Sequence, residues 1–292
     1  MNNKDYTLTF HGSAAWRSSI PVVVNAAREA GFDGVETNIL QLGNYFDAGY
    51  TPADVKKAAG DMPIIAVGWL VDCERQGHQY VQMMKEAEEL FANSSAIGAK
   101  SVQILSGPAD FHAVESFEQG VPYQGYMALQ GLKLEEQEHI TAKNMKALGL
   151  LAQQFGLNLY FEPLCWCPVK SIRQGVKICE MTELDNVKMV IDFFHGHIAG
   201  DTPDEIAKLD PAVIDGVHVC DTMNADGVPN EGLIRNVKLG EGVVPVKEWV
   251  EAVKATGYTG RWCYESFYKK DWEEDPVVVA KQVYDMMTGL LA

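Results

Sequence analysis

The 292-residue sequence contains no CxxC pair, no long apolar run and little positive charge, and each absence removes a class of protein. Its six cysteines, Cys73, Cys165, Cys167, Cys179, Cys220 and Cys263, are scattered along the chain. That spacing fits reduced thiols in a cytoplasm rather than a disulfide framework. The nearest pair, Cys165 and Cys167 in "CWC", reads as two small apolar loop residues rather than a soft-metal clamp. No apolar stretch reaches the roughly 18 residues needed to span a bilayer. The opening "MNNKDYTLTFHGSAAW" has no basic region followed by a long apolar one, so a cytoplasmic location is expected. Lysine and arginine number 24 against 40 aspartates and glutamates, a formal net charge of −16. Such a charge repels nucleic acid and anionic membrane over most of the surface, so neither is expected as a partner.

What is present is a soluble, core-forming composition, 47% hydrophobic and 22% charged. Short β-branched runs alternate with longer amphipathic stretches. Strand candidates are residues 6–10, 34–37, 63–70, 101–105, 157–162, 187–192, 214–219 and 261–265. Several are apolar throughout, as strands covered on both faces should be. Helical patterns lie between them, and phrases such as "AREAGFDGVE" and "LAQQFGLNLYFE" repeat the order helix, glycine, strand. Eight βα units without a proline- or serine-rich linker predict a (β/α)8 TIM barrel forming a single domain over 1–292. A doubly wound open sheet is the alternative, but no glycine fingerprint follows the first strand. Two connections, Ser106 to Lys133 and Cys220 to Val244, exceed the usual loop length. Both follow strands and are expected over the catalytic face. The first carries Phe111, Tyr123 and Tyr126, expected to be exposed and to cover the pocket or meet a second subunit.

The strand ends carry the chemistry. "LYFEP" ends on Glu162, "MVIDF" on Asp192 and "WCYES" on Glu265, while "GVHVCD" holds His218 near its end. In a barrel the C-terminal rims converge, so these four side chains become one cluster. Each alone has a plainer reading: a surface glutamate, a satisfied core histidine, or an aspartate starting a turn with His195 capping the next helix. Together, three carboxylates would repel one another unless a cation or shared protons neutralised them. One divalent ion is the simpler solution. Three carboxylates and an imidazole suit manganese first, with magnesium, cobalt or zinc as alternatives.

The order Glu, Asp-x-x-His, His, then "LGEG" and a final Glu resembles the xylose isomerase-like TIM barrels, a superfamily of ketose 3-epimerases, hydroxypyruvate isomerases, inosose dehydratases and apurinic endonucleases. The resemblance covers the whole chain and is strongest from Leu157 to Phe267. It implies that Glu162, Asp192, His218 and Glu265 bind one divalent metal and that His195 contacts substrate. The endonuclease branch needs rim histidines on strands three and four and an Asp-x-His pair before "LGEG". Here those strands read "IIAVGWL" and "SVQILSG", and Ile234 and Asn236 occupy the pair's positions. Ketose 3-epimerases usually carry a second glutamate where this chain has Pro168, and an arginine soon after the strand-seven histidine. Arg235, in the long connection, could supply the latter.

The chemistry that follows is proton transfer beside a carbonyl. A metal-chelated ketose or related polyol passes through an ene-diolate, with Glu162 and Glu265 as the acid–base pair, giving a sugar isomerase or epimerase. Loss of a β-hydroxyl from the same intermediate would make the chain a dehydratase of an inosose-like keto-polyol. A non-catalytic sugar-binding barrel is a further alternative, though a carboxylate cage is not needed for binding alone. Trp16, Trp69, Trp166, Phe193, Phe194 and Phe267 crowd the same rim, and Trp69 and Trp166 are candidates to stack on substrate. Few basic residues lie there (Arg17, Arg235, Lys238), which favours a neutral sugar over a phosphate. A homo-oligomer, dimer or tetramer, is expected.

Overall fold

The computed structural model of the protein describes residues 5–292. Its eight strands are β1 (Thr7–His11), β2 (Gly34–Asn38), β3 (Ile64–Leu70), β4 (Ser101–Leu105), β5 (Asn158–Glu162), β6 (Val187–Asp192), β7 (Ile214–Val219) and β8 (Arg261–Tyr264). They are parallel, pair in sequence order, and β8 returns to β1, so the sheet closes into a barrel. That closure excludes the open-sheet alternative. Helices surround the barrel, and no described helix is long and apolar enough to cross a membrane.

Alternation along the strands sorts the side chains into two environments. Outward residues such as Phe10, Val102, Ile104, Leu159, Phe161, Ile191 and Val217 join one large apolar cluster under the helices. Inside the barrel, Ala66, Tyr160 and Val190 form a small separate cluster. The remaining interior is polar: Glu36, Gln103, Glu162, Asp192, His218 and Arg261 are all buried. Barrel interiors are usually filled by branched apolar residues, so this polar column is the first mark of a functional centre.

Most strand boundaries fall within a residue or two of those expected from sequence. The difference that matters is at Glu265, because β8 ends at Tyr264 and the carboxylate sits on the first residue beyond it. The two long connections are not structureless. The first contains a helix, Phe111–Gln119, and the second a short one, Glu231–Ile234. Phe111, Tyr123 and Tyr126, expected to be exposed, are half-buried. Phe111 packs against the core, and the Tyr123 hydroxyl donates to Asp110 Oδ2 at 2.5 Å. All six cysteines are buried free thiols.

The start of the first connection is pinned by two acids that follow β3. Asp72 Oδ1 accepts the Ala109 N–H at 2.8 Å, and Glu74 Oε2 accepts the Gly107 N–H at 3.1 Å. Pro108, between them, offers its carbonyl to the Trp166 indole N–H at 2.9 Å. Burial pushes the Glu74 carboxyl up to about 7 from an ordinary 4.5. Between those values the folded chain holds a proton that the unfolded chain releases, so this group's contribution to stability is complete below the ordinary glutamate range and is lost as pH rises through about 7. Glu74→Gln, which mimics the protonated acid, is expected to flatten this decline. In thermal unfolding from about pH 5 to about pH 8, the melting-temperature difference between variant and wild type should grow with pH. A difference independent of pH would contradict it.

Candidate metal centre

Four adjacent strands aim one side chain each at the same point above the polar column. Glu162 is the last residue of β5, Asp192 the last of β6, His218 the penultimate of β7, and Glu265 follows β8. Register holds them level, since Asp192 pairs with His218 and the Glu265 N–H bonds to the Val219 carbonyl at 3.0 Å. His218 Nδ1 lies 3.8 Å from Glu162 Oε1, 3.9 Å from Asp192 Oδ2 and 3.8 Å from Glu265 Oε2. One ligand atom from each residue lies within 4.8 Å of the others. All four are buried, His218 completely and Glu265 at 9% exposure.

Two of the converging atoms have no partner. Glu162 Oε1 and His218 Nδ1 are buried without any hydrogen bond, although an orphaned polar atom costs on the order of 1–3 kcal/mol. Both point into the space between the carboxylates. Three oxygens and one nitrogen converging there form a donor set that fits a divalent ion. The carboxylates also feel one another. Burial, then the charges of Asp192 and Glu265, push Glu162 well above the usual carboxylate range. Glu265 goes the other way: burial would raise it, but Arg235 and then His218 outweigh that and hold it at about 2.

Each member is held by its own local structure. Asp192 is the N-cap of the helix Phe193–Ala199, its Oδ1 accepting the His195 N–H at 2.7 Å. Its Oδ2 faces the centre. Asp192 itself, rather than His195, caps the helix, and it does so with one oxygen while the other stays turned to the cluster. The Gln103 amide donates to Glu162 Oε2. Arg235 Nη2 donates to Glu265 Oε2 at 2.7 Å, while Nη1 donates to Glu231 Oε1 at 2.5 Å. Arg235 is itself buried between the Phe194 and Phe267 rings, at 4.8 and 4.5 Å. With both Nη atoms engaged, it meets the cluster through Glu265 and Glu231.

His195 lies beside the cluster in a defined protonation state. Its Nδ1 accepts the Cys165 N–H at 3.1 Å, so the ring proton sits on Nε2. Burial, then the Arg235 charge, hold its pKa well below the ordinary value, so the ring is neutral. Nε2 faces Glu162 Oε1 and Glu231 Oε1, both at 3.9 Å. Trp166 packs on it with ring centres 5.4 Å apart. Trp69 stacks on Trp16 at 6.2 Å, and Trp16 also meets Phe267 and Trp272, an aromatic wall at the rim. Phe193 and Phe194 are fully buried. Arg17 points outward to an exposed pair with Glu273, and Lys238 lies 5.4 Å above the Tyr268 ring.

Three members escaped the sequence reading. His11 ends β1, its Nε2 3.7 Å from Glu265 Oε1. The strand-end rule applied to "TLTFH" would have found it. Glu231 and Gln103 had weaker signals: an acid in a long loop, and one polar residue in the apolar strand "SVQIL". A cavity of about 710 Å³ among Tyr6, Tyr258, Trp262 and Tyr284 opens at the opposite, N-terminal end of the strands and includes none of these groups.

Fold and cluster together define a parallel barrel with a metal-capable cage at its C-terminal rim. The chain belongs to the xylose isomerase-like TIM barrel family, which matches residues 24–287. It is 26% identical to an inosose isomerase of Halalkalibacterium halodurans over 141 residues, 46% of this chain and 49% of the other. It thus spans about half the length of that curated relative. The crystal structure of the IolI protein with a bound zinc atom superposes with a TM-score of 0.84 at 17% identity, covering 98% of both chains. D-psicose 3-epimerase from Clostridium cellulolyticum H10, solved with D-tagatose, gives a TM-score of 0.72 at 15% identity, covering 98% of this chain and 99% of that one. At such identities the structural likeness concerns the fold.

Asp192→Asn separates the two duties of this residue. The amide oxygen can still cap the helix, where losing the cap would cost about 1 kcal/mol, but the charge is gone. Metal-free Asp192→Asn is expected to melt no lower than metal-free wild type, since one repelling charge has been removed. Its metal content by elemental analysis should fall far below that of the wild type. Unchanged metal content would remove Asp192 from the centre.

Proposed function

We propose that the protein is a divalent-metal-dependent isomerase or epimerase of a small neutral keto-sugar or keto-polyol. The observation that carries this reading is the pair Glu162 and Glu265, each of which brings a carboxylate oxygen to 3.8 Å from His218 Nδ1 in the same buried cage. Glu162, Asp192, His218 and Glu265 would hold the ion, and when bound it would supply Lewis acidity for the carbonyl and charge stabilisation for an enediolate. The preference for manganese rests on the oxygen-rich donor set; the zinc in the IolI structure makes zinc the first alternative to test.

The side chains divide the remaining work. Glu162, whose affinity for protons is raised by burial and by its acidic neighbours, would take the proton from the carbon beside the carbonyl. Glu265, held ionised by Arg235, would be the second group to exchange a proton with the substrate. Opposed environments of this kind mark an acid and a base. Return to the opposite face of the same carbon is epimerisation, and return to the neighbouring carbon is isomerisation. Neutral His195, with its proton on Nε2, donates to a substrate oxygen and orients it. Trp166 and the wall of Trp16 and Trp69 offer apolar faces to a sugar ring and exclude water.

A neutral substrate is favoured because the basic groups of the rim are already engaged: Arg235 by Glu265 and Glu231, Arg17 by Glu273. The similarity to an inosose isomerase favours a cyclic keto-polyol within that class. The same deprotonation with loss of a β-hydroxyl would give dehydration, and product analysis distinguishes it.

Metal-loaded wild type, incubated in D2O with inososes and with open-chain ketoses, is expected to exchange deuterium into the carbon beside the carbonyl of its true substrate, followed by NMR. Glu162→Gln should lower that exchange by about 10²-fold or more while still binding metal, because an amide oxygen can ligate but cannot accept the proton. Near-normal exchange in this variant would exclude Glu162 as the proton carrier.

A further inference from the structure

Beneath the cage lies a second cluster, His11, Glu36 and His218, whose atoms are close enough to hold an ion of their own. Its hydrogen bonds exclude that role. Glu36 is fully buried on β2, and both of its oxygens are occupied. Oε1 accepts the Tyr160 hydroxyl at 2.6 Å and lies 3.1 Å from His218 Nε2. Oε2 is paired with Arg261 Nη1, and the Cys263 thiol approaches it at 3.6 Å. Arg261 is fixed in turn, its Nη2 donating to Asp215 Oδ2 at 3.1 Å and its guanidinium lying 4.4 Å over the Tyr160 ring. The charge a second cation would supply is already present as Arg261, and no lone pair on Glu36 is left to ligate one.

A carboxylate so placed can only accept from the imidazole. Once a metal has displaced the second ring proton of His218, Glu36 therefore keeps the remaining one on Nε2 and leaves the Nδ1 lone pair to the ion. Nδ1 is the orphaned atom that stands 3.8–3.9 Å from an oxygen of each cage carboxylate. We propose that Glu36 is a positioning residue for the metal, fixing the tautomer and ring orientation of His218 so that Nδ1 is presented to the ion. Tyr160 and Arg261 lock Glu36 itself. Carboxylates behind ligating histidines strengthen metal binding in this way, by about 10–100-fold.

This inference rests on the metal reading of the cage, and the experiment separates the two. Zinc affinity is measured by competition with a chromophoric chelator for wild type, Glu36→Gln and Tyr160→Phe, each checked for folding by thermal melting. Glu36→Gln is expected to bind zinc about 10–100-fold more weakly, and Tyr160→Phe, which leaves the Glu36–His218 contact in place, to lose much less. Nitrogen-15 NMR of histidine-labelled, zinc-loaded wild type should find the His218 proton on Nε2 and Nδ1 as the ligand, a readout that needs no variant. A proton on Nδ1 would overturn the proposal, as would equal losses in the two variants or a Glu36→Gln affinity within about twofold of wild type. Wild type that binds no zinc or manganese would overturn the metal centre, and the role of Glu36 with it.

Discussion

Mutual repulsion among three buried carboxylates is the constraint on which the rest of this structure depends. Glu162, Asp192 and Glu265 meet around one imidazole nitrogen inside a barrel, where charge is poorly screened. The fold manages this unequally. Glu265 is neutralised by Arg235, Asp192 is tied to a helix N-terminus, and Glu162 is left with an orphaned oxygen and a raised affinity for protons. The side chain least compensated by the protein is the one proposed to carry a proton.

That inequality is built from distant parts of the chain. Arg235 comes from the connection after β7, which is long enough to lay a guanidinium between Phe194 and Phe267 and against the end of β8. Glu36 and Arg261 come from strands at the chain's two ends, and only closure of the barrel brings them together under His218. The polar column takes the place of the apolar packing usual in such interiors. Within it the one guanidinium of Arg261 is shared by two carboxylates, Glu36 and Asp215, since buried charge needs a partner.

Much of this was legible in the sequence because Leu159–Phe161 and Met189–Ile191 run largely apolar up to the ends of β5 and β6, so a carboxylate there stands out. Glu162, Asp192 and His218 were readable in that way. The supporting layer was harder to read. Glu36, Gln103 and Arg261 lie within or at the start of strands, where a single polar residue looks like noise until the inward face of a barrel gives it neighbours. Arg235 was visible as a basic residue in a long loop, but its burial and its two carboxylate partners depend on how that loop folds back. Phe111, Tyr123 and Tyr126 are half-buried rather than exposed because Asp72 and Glu74 anchor the start of their connection and a helix orders its middle, neither of which its length and composition reveal.

The most direct test of the metal-centred account is a crystal structure of protein loaded with zinc, with diffraction data collected at the zinc absorption edge. The account requires one anomalous peak within bonding distance of His218 Nδ1 and the carboxylates of Glu162, Asp192 and Glu265. No peak there, or a peak elsewhere with the cage drawn together over shared protons, would contradict it.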